Sequence, residues 1–518
     1  MARSVQSIDT VNSRGTVLPV PRYAERSPVA VIDIGSNSIR LVIYEGAERA
    51  PLPVFNEKVL CGLGRDLERT GKLSDEGVSM ALQALPRFIH LAESMGASRI
   101  DMLATAAVRE AKNGDEFVEN VKEVCGHDIT ILSGVEEARL SAMGLISGTP
   151  GADGIMGDLG GGSVELVSLN KGEIGDLSTL PLGPLRFGNK FISNPNKAKR
   201  GIDEAVDAIG WLGAGEDKTF YAIGGAWRSL ARLHMIHTDY PLHIMHHYRL
   251  PYDKAMDFTQ LVSKLSSDTL FKIHGLNRRR VETLPYAAIL LNRLLLKIQP
   301  SDVVLSAYGL REGSLFDKLP EEKRGEDPLM DACRRYAIRH RVSAVDGDQL
   351  HDWLGPAFPE ADETEQRLRH AACLITDIGR GEHPDYRPEH TLMRVLRFPF
   401  VGINHHDRAF LALSVASRYG QLSEDEGLMP TIVAVMEDRE CLRARAIGMA
   451  IRLAYSLSGG VAALLNQFAL RRLDDGLVLE VKEPDAAALL GDIVERRLAS
   501  LAKILDCPFA MRRSGNDA

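Results

Sequence analysis

Asp33-Ile-Gly35-Ser36-Asn37-Ser38-x-x-Leu41-Val42 and Asp158-Leu-Gly160-Gly161-Gly162-Ser163-x-x-Leu166-Val167 are one ten-residue pattern written twice, 125 positions apart, with Asp, Gly, Ser, Leu and Val in the same register. Glycine and serine leave the backbone N–H groups of a tight turn bare, so that they can converge on anionic oxygens. The aspartate heading each turn can hold a divalent cation or orient its water shell. Asp-x-Gly alone is common in turns, but five residue types repeated at one spacing point to two phosphate-gripping hairpins around one phosphate-cleaving cleft. Each turn lies between short apolar runs, 29–32 and 39–44 in the first copy, 155–156 and 164–167 in the second, which reads as strand, turn, strand.

The chain that carries them has 518 residues, enough for about three to four domains. Its 45% hydrophobic and 25% charged content, without an apolar run of membrane length, describes a globular protein with no membrane partner. The first 27 residues are polar and lack an export segment, so the expected location is the cytoplasm. Six cysteines lie far apart with no Cys-x-x-Cys pair, which excludes a disulfide framework or cysteine zinc site. A net charge of −8 excludes a protein that coats itself with nucleic acid. Basic clusters are local: Arg278-Arg279-Arg280, Arg334-Arg335, Arg339-His340-Arg341, and Arg443 with Arg445. Each alone reads as a solvated helix face, and several along one channel would guide a polyanion.

The elements that must position the turns follow a repeated plan. Residues 1–27 read as a disordered lead. Residues 28–150 read as hairpin, helix 74–95, strand 100–104, helix 115–124, strand 129–132 and a helix from Glu136. Residues 151–320 repeat this with helix 202–212, strand 220–223, helix 227–235, helix 282–298 and strand 303–306. The fold class is therefore α/β, two lobes with largely parallel sheets facing across a cleft. From 328 to 518 the periodicity becomes helical, with helices at 329–341, 344–353, 363–375, 406–418 and 442–457, then a strand at 477–481 and a helix at 486–505 as a small terminal unit.

Val31-Ile-Asp-Ile-Gly-Ser-Asn-Ser38, Ala104-Thr-Ala-Ala-Val-Arg109-x-Ala-x-Asn113, Leu132-Ser-Gly-Val-Glu136-Glu137-Ala-Arg139-Leu140, Gly157-Asp-Leu-Gly-Gly-Gly-Ser163 and Gly309-Leu-Arg311-Glu312-Gly313 resemble, in this order, the motifs of the exopolyphosphatase and guanosine-pentaphosphate phosphohydrolase family. The resemblance implies a duplicated actin-like (ribonuclease H-like) two-lobed core and a homodimer. It places the catalytic carboxylate at Glu137, with Glu136 as the alternative. Two acids opening a helix are also simply favourable at its N-terminus.

Gly35, Ser36, Asn37 and Ser38, with Gly160, Gly161, Gly162 and Ser163, are the expected phosphate cradle, and the Asn37 side chain an added donor. Asp158 and Asp33 are the expected ligands of Mg2+, which favours carboxylate plus phosphate ligation. Arg109 is expected to grip phosphate or to form a salt bridge. Gly224-Gly225 follows a strand and opens a helix, an anion-facing N-terminus, although Ala226 stands where the family carries threonine. Arg311 and Glu312 read equally well as an ion pair.

In the helical region, Ala371-Ala-Cys-Leu-Ile-Thr376-Asp377 resembles a metal-dependent HD-type phosphohydrolase site in which Thr376 replaces the histidine. That marks a degenerate, non-catalytic domain. The leading expectation is an exopolyphosphatase that removes orthophosphate from inorganic polyphosphate. Hydrolysis of guanosine pentaphosphate to tetraphosphate, or non-hydrolytic sensing of nucleotide or polyphosphate, are the alternatives.

Overall fold

The computed structural model describes residues 27–186, 195–273, 278–339, 346–423, 425 and 427–513. The expected lead at 1–27 lies outside the described residues apart from Ser27. The first sheet has the order β3-β2-β1-β4-β5, built from β1 (Val29–Ile34), β2 (Ile39–Tyr44), β3 (Pro53–Val59), β4 (Arg99–Ala104) and β5 (Thr130–Ile131). The second has the order β10-β11-β9-β6-β7-β8, from β6 (Gly154–Leu159), β7 (Val164–Asn170), β8 (Glu173–Leu180), β9 (Thr219–Gly224), β10 (Arg249–Pro251) and β11 (Asp302–Leu305). β1 and β2 set Asp33 opposite Arg40, and β6 and β7 set Asp158 opposite Glu165. β4 runs parallel to β1 as β9 does to β6. The duplication read in the motif therefore extends to strand order and register.

Both sheets are mixed rather than largely parallel. A tight turn can join only antiparallel neighbours, and each half opens with a hairpin that continues into a third antiparallel strand, β3 or β8. Neither third strand has a buried residue, so neither carries the apolar alternation that would announce it.

Helix α1 (Asp75–Ser94) turns Ala81, Leu85, Phe88 and Ala92 onto the first sheet, where they meet Ile32, Ile34 and Leu41. The short helix α2 (Ala106–Glu110) follows β4 directly. Two further helices cross between the lobes. α3 (Gly134–Gly148) closes the first half in sequence, yet it buries Ala138, Ala142 and Leu145 against Met156, Val167, Tyr221 and Ile223 of the second sheet. In the second lobe, α4 (Gly225–His237) and α5 (Leu284–Ile298) cover the sheet. α6 (Leu310–Asp317) then returns to the first lobe, where Leu315 packs with Val31, Val42 and Leu103.

α3 and α6 touch through glycine. A Cβ on Gly313 would stand 1.7 Å from the Leu140 carbonyl oxygen, and one on Gly144 would stand 2.0 Å from that of Gly309.

The C-terminal region has its own core, with α7 (Glu363–Leu374), α8 (His405–Ser417), α9 (Asp438–Ser458) and α10 (Asp492–Ile504) as principal helices. A small sheet orders as β12-β13-β14, from β12 (Phe468–Leu473), β13 (Gly476–Val481) and β14 (Phe509–Arg513). Among the described residues no helix is long and apolar enough to cross a membrane.

Because the contact at Gly313 is with backbone, side-chain rotation cannot relieve it. Gly313→Ala is expected to lower stability by about 3 kcal/mol, the upper range for overpacking, measured as the shift in urea midpoint. An unchanged midpoint would mean that α3 and α6 can separate freely.

Candidate active site

The two turns are closed by the same bond, Gly35 N–H to the Ser38 carbonyl at 3.1 Å and Gly160 N–H to the Ser163 carbonyl at 3.0 Å. Their other carbonyls are held by a following loop. Gly64 and Gly62 donate to the carbonyls of Ser36 and Asn37 at 2.8 and 3.1 Å, and Leu185 and Gly183 to those of Gly161 and Gly162 at 2.9 and 3.1 Å. The N–H groups of Ser36, Asn37, Ser38, Gly161, Gly162 and Ser163 make no hydrogen bond among the described residues. Outward carbonyls and open amides make an anion nest. The two nests face each other, since a Cβ on Gly161 would lie 3.2 Å from that of Ser36.

Between them is a cavity of about 230 Å³. Both turns line it, from Gly35 to Ser38 and from Gly160 to Ser163, with Asp33, Glu137, Asp158 and the Gly224–Gly225 entry to α4. Ala226 lines it too, without a hydroxyl to offer. Arg109, expected either on phosphate or in a salt bridge, is absent from the lining and forms the salt bridge. From α2 its Nη1 donates to Glu137 Oε2 at 2.9 Å and to the Leu132 carbonyl at 2.7 Å. A guanidinium two atoms from a buried carboxylate is drawn to that charge first. Glu136, the alternative, does not line the cavity: it pairs with Arg139, which also reaches Asp317 at 2.8 Å. Ser133 caps α3 by accepting the Glu136 N–H at 3.1 Å, and this fixes the turn that aims Glu137 inward.

Burial raises the carboxyl pKa of Asp33 and of Asp158. Glu137 is pushed up to about 7, mainly by burial, against the pull of Arg109 and with the help of Asp158 and Asp33. Glu165, only 1% exposed, lines the same cavity and is raised well above the usual carboxylate range by burial and by Glu137. Hydroxyls partly compensate: Ser141 Oγ donates to Asp158 Oδ2 at 2.7 Å and Ser163 Oγ to Glu165 Oε1 at 2.5 Å. Arg40, Lys58, Arg228 and Arg311 also line the cavity. Arg311 does not pair with its neighbour. Glu312 accepts the Tyr44 hydroxyl at 2.6 Å and the Gly309 N–H at 3.1 Å, whereas Arg311 Nη1 is buried without a hydrogen-bond partner among the described residues.

Two desolvated aspartates on opposing hairpins, with only oxygen donors, fit a hard divalent cation such as Mg2+. No group of three or more ligating side chains occurs among the described residues, so phosphate and water would complete such a shell.

Glu165, Arg40, Ser141, Lys58 and Arg228 were not singled out by motif. Three had a signal. Arg40 and Glu165 occupy the same position of the two repeats, facing Asp33 and Asp158 across the hairpin, and Ser141 lies four residues after Glu137 on one face of α3.

Four arginines of the basic clusters are engaged in ion pairs. Arg334 pairs with Asp348 at 2.6 Å, Arg335 with Glu48 at 3.0 Å, Arg339 with Glu45, and Arg443 with Glu365 at 2.8 Å. Arg278, Arg279 and Arg280 are described in backbone only, and His340 and Arg341 lie outside the described residues. In the helical region Arg418 meets Asp377 at 2.7 Å, its guanidinium lies 3.6 Å over the Tyr455 ring, and the Tyr455 hydroxyl donates to Asp377 Oδ2 at 2.8 Å. Beside Thr376, an arginine supplies the positive charge a metal would bring.

Two facing amide nests, with the buried Glu137 and two partly buried aspartates between them, define a two-lobed protein of the actin-like fold with an anion-accepting cleft. The Ppx/GppA phosphatase family model matches residues 42–322 and the exopolyphosphatase C-terminal model residues 329–509; the chain belongs to the Ppx/GppA phosphatase family. It is similar to Retrograde regulation protein 2 of Saccharomyces cerevisiae, at 26% identity over 435 residues covering 76% of this chain and 73% of that one. In fold it is similar to an exopolyphosphatase from Cytophaga hutchinsonii, with TM-score 0.51, 23% identity, and coverage of 56% of this chain and 96% of that one.

Glu137 takes up its proton more readily folded, at about 7, than at its ordinary 4.5. Its contribution to stability is thus full below 4.5 and lost as the pH rises to about 7. With chelator present, Glu137→Gln is expected to match the parent near pH 4 and to exceed it near pH 8, by a few kcal/mol at about 1.4 kcal/mol per pKa unit. Urea unfolding at both pH values measures this; a parent that stays the more stable at pH 8 contradicts the assignment.

Proposed function

We propose that the cleft hydrolyses the terminal phosphoanhydride of inorganic polyphosphate and releases orthophosphate. The observation that carries this reading is Glu137, held near neutrality between two open amide nests. The nests take the terminal phosphoryl oxygens, and the Asn37 side chain adds a donor. Glu137 accepts a proton from the water that adds to the terminal phosphorus as the bond to the rest of the chain breaks. Arg40, Lys58, Arg228 and Arg311 meet the negative charge of the penultimate phosphates. Mg2+ held by Asp158 and Asp33 supplies further charge neutralisation when bound. Arg109 acts as a positioning residue that orients Glu137 and keeps its pKa from rising further.

Among the described residues no aromatic side chain lines the cavity, which favours an inorganic chain over a stacked guanine. Guanosine pentaphosphate remains the competing substrate because its terminal phosphates would meet the same groups. Phosphate release from long polyphosphate, short oligophosphates and guanosine pentaphosphate, with Mg2+ and with chelator, tests the choice. Polyphosphate is expected to have the highest kcat/KM, and the reading fails if guanosine pentaphosphate does.

Glu137→Ala is expected to reduce kcat about 100- to 10,000-fold. Arg109→Met removes a charge that lowers the Glu137 pKa, so the acid limb of kcat against pH is expected to move upward. An unmoved limb would assign Arg109 a purely structural role.

A further inference from the structure

Three arginines gather in the helical region, away from the hydrolytic cleft. Arg445, Arg452 and Arg497 open on a second cavity, of about 190 Å³, between the end of α8, α9 and α10. Positions four and seven apart share a helical face, so α9 presents Arg445, Met449 and Arg452 together, and α10 answers with Arg497, Ser500 and Ile504.

The charge is one-sided. No Asp or Glu lines this cavity among the described residues. Arg497 donates to the Arg452 backbone carbonyl at 3.4 Å, both side chains line the cavity, and neither forms an ion pair with a described residue. Burial, then the Arg452 charge, pushes the Arg497 guanidinium pKa down. In a chain of net charge −8, carboxylates are plentiful, and Arg334, Arg335, Arg339 and Arg443 all have one. Two guanidiniums brought together without a carboxylate repel unless an anion joins them. Their fork of donors matches phosphoryl oxygens. Met449 and Ile504 give the cavity an apolar wall, which a bare inorganic anion does not need and which suits a planar organic group.

We propose that this cavity is a second ligand site, separate from the hydrolytic cleft, that takes a nucleoside di- or triphosphate: phosphates on Arg452 and Arg497, base against Met449 and Ile504. It stands whichever substrate the cleft accepts. The full chain photolabelled with 8-azido-ATP and mapped by mass spectrometry is expected to carry label within residues 417–422, 445–452 or 497–504. ATP should displace that label at a concentration at least tenfold below tripolyphosphate. The double variant R452A/R497A should lose at least tenfold in labelling. Ser500→Glu, at an exposed position where folding is not at stake, should lose a similar factor. Label confined to the segments around Ser36 and Gly161, label unchanged in both variants, or equal displacement by tripolyphosphate overturns the proposal.

Discussion

Four carboxylates, Asp33, Glu137, Asp158 and Glu165, line one cavity, and each resists ionisation because of where it lies. Uncompensated, such a group is costly, since like charges in low dielectric repel and none can recover its hydration. The folded chain relieves the cost only in part, through two serine hydroxyls, Arg109 at Glu137, and the longer-range charges of Arg311, Arg40, Lys58 and Arg228. The same cavity presents open amides suited to an anion.

Holding that arrangement requires parts from both lobes at sub-ångström tolerance, and the exchange of helices supplies it. α3 carries Glu137 and Ser141 but rests on the second sheet; α6 carries Arg311 but rests on the first. Their glycine contact at Gly144 and Gly313 leaves no room for a side chain between them. Leu140 of α3 also packs with the first sheet and Glu137 is held by Arg109 from the first lobe, so the two helices tie the lobes together at the cleft.

Much of this was legible in residue order. The two turns, their aspartates and Glu137 meet where the duplicated pattern and the family motifs place them. What could not be read was anything decided by a partner distant in sequence. Arg109 binds Glu137 because α2 and α3 converge, a fact of tertiary packing that spacing does not encode. The helix exchange depends on which apolar face finds which sheet, and α3 has nine buried residues of fifteen, so its sequence shows no single face. β3 and β8 escaped because half-exposed edge strands lack an alternating signature. The partners of the Arg334–Arg335 cluster were hidden for the same reason: its charge is conspicuous in sequence, but its carboxylates lie elsewhere in the chain, at Asp348, Glu45 and Glu48.

The two halves of the protein thus solve one electrostatic problem differently. In the C-terminal region the buried Asp377 is met by Arg418 from the same domain, stacked on Tyr455 and bonded to the Thr376 carbonyl. An internal guanidinium there satisfies the acid permanently, so no exchangeable cation is called for. In the cleft, Asp33 and Asp158 make no ion pair among the described residues: Arg311, Arg40 and Lys58 act on Asp33 and Arg228 and Arg311 on Asp158 at longer range, and Ser141 offers a neutral hydroxyl. Whether a buried carboxylate is a structural element or a working one is settled by whether the fold brings its own counter-charge. By that criterion Asp377 is a structural acid, whereas the cleft aspartates keep no directly bonded counter-charge among the described residues.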